Sequence, residues 1–249
     1  METTPMQLIE WLLLALLIVL APAWEFRRGP AYRARLQADP AGKVAAYRTT
    51  CIQLWLPTLA LLALYWTGGL SVAELTVRDA PEIGRLLAVA VLILLTLYLA
   101  ASLRSVARDP AIRKQTADAL QPLAWMLPAT RREAIWFIGP VSLAAGICEE
   151  LLYRGFLMQW LDGVMPIWGA MILSSVIFGL MHAYQGLAGV IRTAAIGLLL
   201  AGFFVASGSL LLSIILHVII DAYAGALSWL ARREETVPAG PLEAEQRHA

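Results

Sequence analysis

Charge is the first thing this chain lacks. Only 15% of its 249 residues are Asp, Glu, Lys or Arg, where a soluble domain carries about a quarter. The mean hydropathy of +0.69 agrees, and together the two values exclude an ordinary soluble globular protein. Lysine is nearly missing as well, with two against seventeen arginines, a bias expected of a GC-rich bacterial genome. The two cysteines, Cys51 and Cys148, both sit in apolar context, which excludes a disulfide framework. A net charge of +1 gives no reason to expect a nucleic-acid partner. Internal repeats, low-complexity tracts and ten-residue alternating strands are absent too, so a membrane β-barrel is excluded.

What the chain has is long apolar runs. Crossing about 30 Å of hydrocarbon takes roughly 20 residues of helix, and open sheets cannot cross it. Seven runs qualify: 7–24, 51–70, 85–103, 134–160, 166–190, 191–207 and 209–230, or eight if one of them divides. The expected fold is therefore an all-α polytopic bundle of about seven transmembrane helices. It divides into a three-helix membrane region (1–133), a polar-site bundle (134–230) and a polar, mobile tail (231–249). The first run has no basic residue before it and carries Glu2 and Glu10, so it reads as a retained span rather than a signal peptide. Basic residues gather in 25–50, in 104–133 and at Arg232 and Arg233. The positive-inside rule then puts those segments and the C-terminus in the cytoplasm, with the N-terminus outside, in a bacterial inner membrane. Trp24, Trp66, Trp136, Trp160, Trp168 and Trp229 fall near span ends, as an interfacial belt requires.

Against that background, a few ionisable residues are out of place: Glu149, Glu150, Arg154, His182, Arg192, His217 and Asp221. An Asp, Glu or Arg at mid-membrane costs roughly 2.5–3.5 kcal/mol on insertion scales. Four of them together approach about 10–14 kcal/mol, comparable to a whole protein's stability of about 5–15 kcal/mol. Such groups must pair or face a wet cavity. Arg192 lies near a span end, where snorkelling suffices.

Helical spacing sorts the others. Glu150 and Arg154, four apart, share one face, while Glu149 is turned by about 100°. One carboxylate is neutralised and the other is left available. Phe178 and His182 are again four apart, and so are His217 and Asp221. Gly146 and Gly155 allow close backbone approach nearby, and Pro140 kinks the start of the segment. The bland readings are helix glue for the Glu–Arg pair, a satisfied core residue for a lone His, and packing for Phe178. Convergence of three helices, each with such a spacing, favours a shared polar site that includes His182 and His217 at similar depth.

Two chemistries suit such a site. A proton relay would serve transport, but no inverted repeat is visible. Alternatively, a carboxylate among apolar neighbours is a strong proton acceptor for water, and neighbouring imidazoles position that water and stabilise an oxyanion. The HExxH, GxSG and GxGD marks of other intramembrane hydrolases are absent. Cys148 beside a histidine is the weaker, nucleophilic alternative.

The three motifs in order, EExxxR at Glu149, Glu150 and Arg154, FxxxH at Phe178 and His182, and HxxxD at His217 and Asp221, resemble the CPBP family. These are the type II CAAX prenyl proteases and bacteriocin-processing relatives. The resemblance covers about 134–230. It implies an intramembrane endopeptidase of glutamic type acting on a membrane-associated peptide or protein. In that scheme Glu149 activates water with His182, Glu150 pairs with Arg154, and His217 with residue 221 stabilises the oxyanion. Many members carry Asn at the last position; Asp221 cannot donate when ionised, so orienting His217 is its expected role. No cofactor is expected, zinc held by Glu149, His182, His217 and Asp221 being the minority alternative. Some bacterial relatives act as immunity or scaffold proteins, which is the non-enzymatic alternative.

Overall fold

The computed structural model describes residues 5–68, 76 and 78–233. Among them there are helices and no strand. Six helices are long and apolar enough to cross a membrane: α1 (Gln7–Ala38), α2 (Pro40–Thr67), α3 (Glu82–Arg108), α5 (Arg131–Asp162), α7 (Leu187–Ser207) and α8 (Leu210–Arg232). Two shorter ones, α4 (Pro110–Leu120) and α6 (Ile167–Leu180), lie between them. The protein is thus a multi-pass α-helical membrane protein.

The structure moves several expected boundaries. The basic segment 25–50 is mostly helix, because α1 continues to Ala38 and α2 begins two residues later. At 1.5 Å per residue α1 is about 48 Å long, well beyond the hydrocarbon thickness. The basic segment 104–133 likewise contains the end of α3 and all of α4, capped by the Asp109 carboxylate, which accepts from Ala111 N at 2.8 Å. The run 166–190 is not one span. It ends at Leu180, and a turn through His182 follows, closed by Gly186 at φ 82°. The polar stretch at 181–186, MHAYQG, lies inside the expected run and is where that turn falls. The C-terminal helix runs to Arg232, two residues into the expected tail. The rest of that tail after Arg233, His248 included, lies outside the described residues.

The helix α5 is the central element. It switches twice to the wider π-helical ladder, over Phe137–Val141 and over Glu150–Leu157. The first switch contains Pro140, which has no N–H to give. The Phe137 carbonyl accepts from the Ser142 backbone N–H, five residues on, and also from the Ser142 hydroxyl at 2.8 Å. The expected kink at Pro140 is thus a π turn. The second switch coincides with the charged stretch. Around it, Leu151, Leu152, Phe156, Leu157 and Met158 join Leu13, Leu17, Leu61, Phe178 and Phe204 in the main apolar core.

Small residues set the helix approaches. A Cβ on Gly146 would collide with Val218 and stand 3.2 Å from the Ile214 carbonyl oxygen, so α5 and α8 cross with backbones close. A Cβ on Gly179 would lie 2.7 Å from the Val190 carbonyl oxygen, which fixes α6 against α7. These two crossings bring the polar residues of α5, α6 and α8 together.

Candidate active site

Glu150 is the hub. Arg154 Nη1 donates to its Oε1 at 2.7 Å, and His217 Nδ1 meets the same oxygen at 2.8 Å. A carboxylate oxygen accepts, so Nδ1 carries the proton and the His217 ring is fixed in orientation. Glu150 is 0% exposed and Arg154 1%. Two opposite charges at hydrogen-bond distance, with the ring as a second donor, are what permit a carboxylate there. The guanidinium is satisfied on its other arm by the Gly197 carbonyl at 2.9 Å, and its central carbon lies 4.5 Å from the Phe178 ring centroid. The second carboxylate oxygen of Glu150, Oε2, has no protein partner.

The far nitrogen of His217 faces two more carboxylates. Nε2 is 3.6 Å from Glu149 Oε2 and 3.7 Å from Asp221 Oδ2. Both separations exceed hydrogen-bond length, so neither carboxylate holds the ring directly. Side-chain exposure rises outward along this line, from 0% at Glu150 to 6% at His217, 14% at Glu149 and 31% at Asp221. The cluster therefore has a sealed end and an open end, and Glu149 and Asp221 stand at the open one.

His182 reaches the cluster through Phe178. It sits two residues beyond the end of α6, and its Nδ1 lies 3.0 Å from the Phe178 carbonyl oxygen. A carbonyl only accepts, so the donor is Nδ1–H and the neutral ring keeps its lone pair on Nε2. The Phe178 ring centroid is 5.0 Å from that of His182, 6.1 Å from that of His217 and 5.1 Å from that of Tyr153. At 2% exposure Phe178 is the wall shared by both imidazoles.

Glu149, Glu150, Arg154, Phe178, His182, His217 and Asp221 thus form one connected cluster, and Arg192 stands outside it. Sequence reasoning assigned the orientation of His217 to Asp221, one helical turn along; the hydrogen bond is made by Glu150, on another helix. It also missed Gly197. A Cβ there would lie 3.0 Å from Phe178 Cδ1 and 3.2 Å from Arg154 Nη2. Its only sequence signal is a glycine inside an apolar run, which has many readings. Cys148 is fully buried in the core. Arg192 is exposed and donates to Gln185 Oε1 at 2.7 Å. The four residues considered as zinc ligands do not fit one. Among the described residues no three His, Cys, Asp or Glu are arranged to hold a metal ion. A hollow of about 290 Å³ beside Lys43 and Trp125 and another of about 510 Å³ between Cys51 and Leu143 both lie away from the cluster.

Residues 131–223 match the family model of Type II CAAX prenyl endopeptidase Rce1-like proteins, in agreement with the CPBP resemblance. The matched stretch contains every residue of the cluster, and the match supports a CAAX-type membrane protease at family level. Among curated proteins nothing matches the chain, and among solved structures nothing does.

Proposed function

We propose that the protein is an intramembrane endopeptidase that hydrolyses a peptide bond of a membrane-associated protein or peptide with water activated by Glu149. The observation that carries this reading is the arrangement about His217. Glu150 fixes its Nδ1, and its Nε2 faces Glu149 at 3.6 Å, at the open end of the cluster.

In this scheme Glu149 takes a proton from a water held at the open end of the cluster, beside the imidazoles. The resulting hydroxide adds to the scissile carbonyl carbon, and the carbonyl π electrons become the oxyanion of a tetrahedral intermediate. Collapse breaks the C–N bond, and Glu149 returns the proton to the departing nitrogen. His182, whose Nδ1–H is committed to Phe178, offers Nε2 as a second acceptor to position the water. His217, oriented by Glu150 rather than by Asp221, is the group that meets the oxyanion, donating from Nε2 as the imidazolium. Arg154 holds the Glu150 carboxylate in place, as a support for the site.

The turn bearing His182 lies toward the end of the bundle where Arg33, Lys43 and Arg232 gather around residues 124–128. Positive-inside counting makes that end cytoplasmic, so the peptide enters from the cytoplasmic side of a bacterial inner membrane. The family description supports C-terminal, CAAX-like peptides as the first substrates to try.

The test is cleavage in lipid nanodiscs of a panel of membrane-anchored peptides, a farnesylated CAAX peptide among them. The wild type and Cys148→Ala cleave, and Glu149→Gln does not. Activity lost in Cys148→Ala but kept in Glu149→Gln would replace water activation by a thiol nucleophile.

A further inference from the structure

The turn that carries His182 is held by parts of the chain outside residues 131–223. On one side α1 passes so close that a Cβ at Gly29 would lie 2.7 Å from Tyr184 Cα and 2.8 Å from Tyr184 Cβ. The nearer obstacle is backbone, which cannot swing aside as a side-chain tip would, so the approach requires glycine. On the other side Trp125, buried in the segment between α4 and α5, sets its ring edge-on to Tyr184 at 6.1 Å.

Trp125 is itself anchored. The Arg33 guanidinium lies 5.8 Å from its ring centroid. Lys43 Nζ donates to the carbonyls of Ala124 and Leu127, each at 2.9 Å, and Arg232 donates to the same two at 3.0 Å. Four polar contacts to two carbonyls, supplied by α2 and α8, immobilise a segment whose regular structure is limited to the 3₁₀ turn Gln121–Leu123. The chain of contact then runs inward. Tyr184 lies 5.7 Å from the His182 ring, and His182 also meets Phe178 at 5.0 Å while its Nδ1 holds the Phe178 carbonyl.

We propose that Gly29 and Trp125 are positioning residues for His182. Acting through Tyr184, they hold its imidazole between Tyr184 and Phe178, with Nδ1 committed and Nε2 left as the working nitrogen. The inference deepens the hydrolytic reading of the site and rests on it for its functional consequence. The placement itself is measurable without turnover. A misplacement of about 1 Å costs a reaction on the order of 10²-fold.

The chain has three histidines, of which His248 can be removed by His248→Gln. Ring ¹⁵N spectra of histidine-labelled protein in nanodiscs then report His182 and His217 alone. In the wild type His182 shows one resolved tautomer with the proton on Nδ1. Gly29→Ala and Trp125→Ala collapse that pattern toward a tautomer average, leave His217 unchanged, and lower kcat about 10–100-fold at nearly constant KM for any peptide the wild type cleaves. Trp125→Phe, which keeps an aromatic edge against Tyr184, restores the wild-type pattern. An unchanged His182 in both Gly29→Ala and Trp125→Ala overturns the proposal. So does a joint shift of His182 and His217, which would mean general loosening. A wild type that shows the resolved tautomer yet cleaves nothing would instead count against the hydrolytic reading.

Discussion

The two helices α3 and α5 are both long enough to cross the membrane, and they differ in opposite directions. The more apolar is α3, with a mean hydropathy of 2.6 over its best window against 1.5 for α5. Yet only 11% of the α3 window is buried inside the protein, against 56% of the α5 window. In water the more apolar helix would be the buried one. Here hydrocarbon is the outer solvent, so apolar side chains gain little by turning inward, while charges gain a great deal. Leu94, Leu97 and Tyr98 of α3 accordingly face outward at more than 60% exposure, and Glu150 and Arg154 of α5 are sealed. The lesson is that in this protein low hydropathy within a span marks the inside.

That contrast can be broken experimentally, beginning where the largest effect is expected. Arg154→Ala or Glu150→Ala leaves a buried charge without its partner and should lower stability by about 3–5 kcal/mol, read from unfolding in detergent, with cleavage lost as well. A loss below about 1 kcal/mol would mean that the pair is not sealed. Glu149→Gln, at the open end, should separate the two properties. Cleavage falls at least about 100-fold, as removal of a general base requires, while the unfolding midpoint stays at the wild-type value. Gly197→Ala pushes a methyl against Phe178 and the Arg154 guanidinium, and is expected to cost about 1–3 kcal/mol together with a partial loss of cleavage. Smallest of all is Leu94→Ala on the lipid face of α3, expected to change stability by no more than about 0.5 kcal/mol. If Leu94→Ala matched Gly197→Ala, the inward and outward faces would have been assigned wrongly.

Much of the site was legible because hydrocarbon makes charge conspicuous. Glu149, Glu150, Arg154, His217 and Asp221 stand out in apolar runs, and each i,i+4 spacing identified a true neighbour along its helix. Contacts between helices were not legible. That His217 hydrogen-bonds Glu150 at 2.8 Å, and only faces Asp221 at 3.7 Å, depends on how closely α5 and α8 cross at Gly146. Spacing along one helix cannot report that. The span 166–190 failed for a related reason. The residues after Leu180 turn polar, but how the chain packs there, with Tyr184 against Gly29 and Trp125, involves parts of the sequence far away. Hydropathy likewise could not foresee that the basic residues Lys43 and Arg232 tie down loop carbonyls instead of lying free against lipid headgroups.

The central claim is that the Glu149 carboxylate, poised beside His217, activates the attacking water. It is tested most directly by comparing the membrane peptidomes of cells producing the wild type and Glu149→Gln at equal levels. The account predicts C-terminal or leader fragments that appear with the wild type and vanish with Glu149→Gln. The same fragments, at the same abundance, from both proteins would contradict it.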